Sequence, residues 1–100
     1  MHIEISQKAR NDLQLIYDYL CESFGSKVAE DKLQEIKKDI NLLGQMPFFG
    51  KALFDNLRKL NSGINIIIYE IQNHTVAILH VVDGRSDYAR VLFPDVVYDY

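Results

Sequence analysis

The sequence has a single cysteine, few glycines and prolines, no long apolar run and no surplus of basic residues. Each shortage removes a class of protein. With Cys21 alone, neither an intrachain disulfide nor a cysteine-based zinc site can form, and its place in an apolar helical stripe predicts a buried thiol. No apolar stretch approaches the roughly 20 residues that span a bilayer. Met1-His2-Ile3-Glu4-Ile5 also lacks the basic-then-apolar run of a secretion signal, so a soluble, cytoplasmic protein with no membrane partner is expected. The formal charge of −3 argues against gripping nucleic acid over a broad face, because phosphate binding rests on Lys and Arg. A local anion site would have to be assembled, in the second half, from Lys51, Arg58, Lys59, Arg85 and Arg90.

What is present is the balance of a folded globular protein: 48% hydrophobic and 25% charged residues over 100 positions. That length suits one domain, residues 1–100, around one core.

The order of elements follows from changes of period. His2-Ile3-Glu4-Ile5 alternates polar and apolar as a short strand does, and Ser6 is a helix-capping residue. Ala9, Leu13, Ile16, Tyr17, Leu20 and Phe24 then recur at helical spacing until Gly25 stops the run. Ser26 offers a second cap, and Val28, Ala29, Leu33, Ile36, Ile40 and Leu43 repeat the pattern until Gly44 and Pro47. So short a connection predicts an antiparallel helical hairpin.

Beyond Pro47 the sequence turns β-rich: Leu57–Leu60, Gly63–Ile71 and Thr75–Val82 predict three strands. The last two are joined as a hairpin through Gln72-Asn73-His74. Asp83-Gly84-Arg85-Ser86 reads as a turn, Asp87–Phe93 as a brief helix before Pro94, and the tail as an edge strand or docked extension. The expected fold is α+β, βααβββ. The hairpin lies on one face of a twisted, mainly antiparallel sheet, and the other face is left as a concave surface for functional side chains.

Several segments carry a resemblance over essentially the whole chain. They are the Leu15–Leu20 run, Met46-Pro47 followed by Gly50, Leu57-Arg58-Lys59-Leu60 ahead of Ile66–Tyr69, and the stretch from Ala77 through Asp83-Gly84-Arg85-Ser86-Asp87-Tyr88. In these the chain resembles the ParE/RelE superfamily of toxins, the last segment looking like the ParE branch. The resemblance implies a toxin neutralised by a small antitoxin. ParE-like members poison DNA gyrase, whereas RelE-like members cut messenger RNA on the ribosome. One departure stands out: Asp83 occupies the position where many ParE-like sequences carry His.

Cleavage of RNA through its 2′-hydroxyl needs a proton acceptor, a stabiliser of the phosphorane and a proton donor. By similarity to RelE-like toxins, Arg58, Arg85 and Tyr88 would be that catalytic set, and only under the ribonuclease alternative. The competing reading pairs the arginines with Asp55, Asp83 or Asp87 at the surface and half-buries Tyr88. His74 and His80 have no second ligand at metal-binding spacing, so neither a metal nor a cofactor is expected. The candidate partner-binding residues are Leu13, Tyr17 and Leu20 on a helix stripe wider than one sheet contact requires, Phe48 and Phe49 beside Lys51, and Arg85. Core packing is the competing expectation for the helix residues and for at least one of the phenylalanines. The acidic balance favours a gyrase inhibitor that binds protein without catalysis and does not hold DNA by itself. The alternatives are a ribosome-dependent endoribonuclease and a non-toxic homologue that only binds antitoxin.

Overall fold

The computed structural model describes residues 1–85. In chain order the elements are β1 (His2–Ile5), α1 (Gln7–Phe24), α2 (Ser26–Gln45), β2 (Lys51–Phe54), β3 (Leu57–Ser62), β4 (Asn65–Gln72) and β5 (Thr75–Asp83). The strands form one sheet in the order β1-β5-β4-β3-β2. β1 runs parallel to β5 and the other neighbours are antiparallel. The expected α+β arrangement of two helices on a sheet is therefore present, with one strand more than anticipated. The region predicted as a short last helix and tail lies outside the described residues.

Ser6 starts α1 as its chemistry predicts. Its backbone is extended, and its hydroxyl accepts from the Ala9 N–H at 3.0 Å. The same hydroxyl donates to the Leu79 carbonyl at 3.0 Å, so one side chain both caps the helix and fastens it to β5. Gly25 alone connects the helices. At φ +93° its N–H donates to Cys21 O, and its carbonyl accepts the first bond of α2 from Ala29. Gly25, not Ser26, is thus the N-terminal cap of α2, and no side chain bonds there. A residue that turns the chain in one step needs the freedom of glycine.

Both helices bury one stripe. Ala9, Leu13, Ile36, Ile40 and Leu43 meet Ile67, Tyr69, Val76, Ile78 and Val81 of the central strands. Phe24 and Val28, counted in the stripes, are exposed because the hairpin bend overhangs the sheet. The β4–β5 hairpin turns on two residues, Asn73 and His74, at φ 51° and 60°, with Gln72 still paired in the ladder. Two positive φ values suit the right-handed twist of the strands they join.

The sheet face turned from the helices differs from expectation. Ile66 and Ile68 alternate with the core residues Ile67 and Tyr69, yet they too are buried, Ile68 completely. The exposed apolar surface lies elsewhere.

Candidate interaction surfaces

One surface lies where the helical bend overhangs the sheet. Leu15, Tyr19 and Val28 are exposed, as is Ile64 in the β3–β4 turn. With Ile16, Leu20, Lys32, Asn65, Asp83 and Arg85 they line a groove of about 420 Å³. Its walls come from α1, the start of α2 and the ends of β4 and β5. A patch of this kind rimmed by polar groups is the usual form of a protein-docking site. The rim is ordered by ion pairs and hydrogen bonds: Lys32 reaches the Ser62 carbonyl at 3.3 Å and Glu35 at 3.7 Å. Arg85 Nη2 meets Asp83 Oδ2 at 2.7 Å, while the Arg85 N–H donates to Asp83 Oδ1 at 2.8 Å. Hydrogen bonds from the Arg85 side chain and backbone pull the Asp83 carboxyl down to about 2.

The second surface is the loop after α2. Met46, Phe48 and Phe49 are exposed. Core packing of at least one phenylalanine was the expectation; the structure places both outside, at 67% and 56% exposure. The reason lies beneath them. The buried Tyr69 hydroxyl donates to Pro47 O at 2.8 Å and accepts from Gly50 N at 3.0 Å, drawing the loop backbone onto the sheet. Gly50 is required here, since a Cβ would come within 2.5 Å of both Lys59 O and that hydroxyl. Arg58 Nη2 adds bonds to Gly50 O at 2.6 Å and Phe48 O at 3.1 Å, and its guanidinium stands 5.3 Å from the Phe48 ring centre. With the backbone held inward, the side chains point out.

The candidate site residues therefore separate. Arg58 opposes Tyr69 across the β3–β4 ladder, whereas Asp83, two residues before Arg85, opposes Asn65 at the other end of β4. Those positions are four residue steps apart along β4, about 13 Å. Arg58 shares its face with Tyr69, so it lies on the helix side of the sheet. Arg85, at the rim of the sheet, borders both the helix-side groove and a hollow of about 450 Å³ with Lys59, Asn61, Gly63, Ile64, Ile66 and Gly84. Arg58 and Arg85 do not form one anion site, and Tyr88 lies outside the described residues. Among the partner-binding candidates, Leu20 and Arg85 line the groove and Phe48 and Phe49 lie in the loop. Leu13 packs in the core cluster and also lines the shallow hollow that Tyr17 borders. Tyr17 borders a shallow hollow between the helices with Arg10, Gln14, Leu33 and Lys37. Its hydrogen bond with the half-buried Cys21, followed by that thiol's charge, pushes its hydroxyl up.

Sequence reasoning missed Asp12 and Tyr69. Asp12 is a buried carboxylate in the apolar stripe of α1 that accepts the Val81 N–H at 3.0 Å and is paired with Lys8. β1 ends opposite Ile78, so among the described residues the edge of β5 beyond it has no strand neighbour, and Ser6 and Asp12 supply the missing partners. Among the described residues no group of three or more His, Cys, Asp or Glu could hold a metal ion. No helix among them is long and apolar enough to cross a membrane.

This arrangement, a helical hairpin over a five-stranded sheet with two exposed apolar surfaces and no convergent catalytic cluster among the described residues, has known relatives. Residues 3–88 match the family described as ParE toxin of type II toxin-antitoxin system, parDE. The chain belongs to the ParE toxin family. It is 30% identical over 84 residues to Toxin ParE3 of Caulobacter vibrioides, covering 81% of this chain and 84% of that one. The fold is similar to a chain of the chromosomal ParDE system from P. aeruginosa, with a TM-score of 0.74, 22% identity and coverage of 83% and 95%. It is also similar to the isolated E. coli RelE toxin, with a TM-score of 0.58, 16% identity and coverage of 95% and 98%. The protein is thus the toxin component of a type II toxin–antitoxin system, and membership in the ParE family implies an antitoxin partner.

Proposed function

We propose that this ParE-family toxin arrests growth by binding DNA gyrase, without catalysis of its own, and that a small antitoxin neutralises it by occupying the groove between the helical bend and the sheet. The observation that carries the first half is the separation of the two arginines. In-line attack on a phosphodiester needs its cations and proton carriers within hydrogen-bond reach of one phosphate. Arg58 is spent on two loop carbonyls and Arg85 on Asp83, at well-separated positions of the sheet. The acidic net charge favours a protein target over a long phosphate backbone.

The second half is supported by the groove's shape. Its apolar floor, formed by Leu15, Tyr19, Val28 and Ile64, suits the apolar face of an amphipathic helix. Such a segment can be disordered until it binds.

Purified toxin added to gyrase with relaxed plasmid is expected to block supercoiling or to trap cleaved DNA, while ribosome-bound message stays intact. Message cleavage abolished by Arg85→Ala would establish the ribonuclease reading instead.

A further inference from the structure

The loop between α2 and β2 is the surface that the antitoxin reading leaves without a role. Exposed loops commonly reach their binding conformation only on contact, and that ordering weakens association. Here the ordering is done in advance. The Phe49 N–H bonds to Met46 O at 3.0 Å, and the Tyr69 hydroxyl bridges Pro47 and Gly50. Arg58 bridges the carbonyls of Phe48 and Gly50 and lies over the Phe48 ring. The rings it presents, beside an arginine, are residue types enriched in the cores of protein interfaces.

The charge at this surface is not neutralised by a carboxylate within hydrogen-bond reach of Arg58 among the described residues. The partners of Arg58 among the described residues are two carbonyl oxygens and a ring, with no carboxylate, and its Nε is buried without a hydrogen bond. Lys51 follows the loop and is exposed. On a chain whose net charge is −3, this end is locally cationic and aromatic. Its complement is an acidic side chain set among apolar ones.

We infer that the 46–51 loop, positioned by Arg58, is the surface by which this toxin grips its target, an acidic and apolar patch on a folded protein. The antitoxin groove is a separate surface. Val28 in the groove and Met46 in the loop are 18 residues apart on one helix, which places them about 27 Å from each other. Arg58 acts as a positioning residue and not as a catalytic one. The inference rests on the reading that the target is a protein, but not on which protein it is.

The test uses full-length chain carrying Phe48→Ser with Phe49→Ser, or Arg58→Gln, beside Leu15→Glu with Val28→Glu in the groove. Growth arrest on graded induction, inhibition of purified gyrase, and copurification with the antitoxin encoded beside it are read together. Loop variants are expected to need about thirty-fold more toxin for arrest, a typical loss for a truncated interface anchor, while retaining the antitoxin. Groove variants are expected to lose the antitoxin and still arrest growth. A fall in antitoxin capture by the loop variants equal to their fall in toxicity would mean a general structural role and overturn the inference. So would loop variants as toxic as wild type, wild type that arrests nothing, or binding of a single-stranded oligonucleotide by wild type that the loop variants lose. Arrest that depends on the loop in a protein with no effect on gyrase would retire the gyrase reading and leave this surface assigned.

Discussion

Two carboxylates, one packed against β5 and one at its end, make the same pair of contacts in different surroundings. Asp12, on α1, accepts a backbone N–H from Val81 and pairs with Lys8; Asp83, at the strand's end, accepts a backbone N–H from Arg85 and pairs with its guanidinium. The side chain of Asp12 is 8% exposed and that of Asp83 is 40%. A list of bonds would rank them equal. Solvent ranks them otherwise: water can replace the Asp83 contacts at little cost, but cannot reach the Val81 N–H if Asp12 is removed. The seam between α1 and β5 is therefore where polar chemistry holds the fold, and the Asp83–Arg85 rim is where it remains available to a partner.

Replacing Asp12 should break this comparison most severely. Asp12→Ala leaves the buried Val81 N–H without an acceptor and removes a charge-assisted hydrogen bond, a loss of about 3 kcal/mol. That is a large share of the roughly 5–15 kcal/mol that keeps a small domain folded. Urea unfolding followed by circular dichroism would measure it. Asp83→Ala, run beside it, should lower the midpoint far less; equal losses would mean that burial does not separate the two sites. The acid response of the Asp83 pair has a definite sign. Because the folded carboxyl titrates at about 2 against 3.8 for a free one, its contribution is present above 3.8 and lost only as pH falls through about 2.

A second, smaller effect belongs to the loop surface. Tyr69→Phe keeps the buried ring and deletes only the oxygen shared by Pro47 and Gly50. The Gly50 N–H and Pro47 carbonyl then compete for fewer partners, and a loss of about 1–3 kcal/mol is expected. Hydrogen exchange should rise at Gly50 and not at Val81. Protection that falls evenly across both would show that the loop and the seam are one cooperative unit.

How much of this could be read in advance follows the range of the interactions. The helices, the Ser6 cap, the stop at Gly25 and the β4–β5 hairpin were legible because periodicity and turn chemistry act within a few residues. The short strand β2 was not. Lys51-Ala52-Leu53-Phe54 contains no β-branched residue, and it becomes a strand only by pairing with β3. Asp12 left a trace, a carboxylate between Ala9 and Ile16 in an otherwise apolar stripe, but its partner Val81 lies 69 residues away. The outward turn of Phe48 and Phe49 depends on Arg58 and Tyr69, which follow 10 to 22 residues later. For the same reason the list of site arginines was sound as a list and misleading as a cluster. Pairing between strands distant in sequence, which local pattern does not reveal, sends Arg58 and Arg85 to well-separated positions of the sheet.

The smallest expected effect sharpens the comparison at the seam itself. His80 lies in β5 next to Val81 and across from Ile68, with its Nδ1 buried and unpaired. Burial lowers its pKa from the usual 6.5; the Asp12 carboxylate opposes that shift and Lys8 adds to it. A histidine harder to protonate when folded binds fewer protons than in the unfolded chain. Stability should therefore be level above 6.5, fall as pH drops from 6.5 toward the lower folded value, and level off below it. His80→Gln removes the titration, so the difference between its urea midpoint and that of wild type should change only within this window. Asp12→Asn keeps a hydrogen-bond acceptor for Val81 but deletes the charge that steadies protonated His80, so in that background the window should widen toward lower pH. A window that stays put would mean that the buried carboxylate holds the strand and has no influence on the histidine beside it.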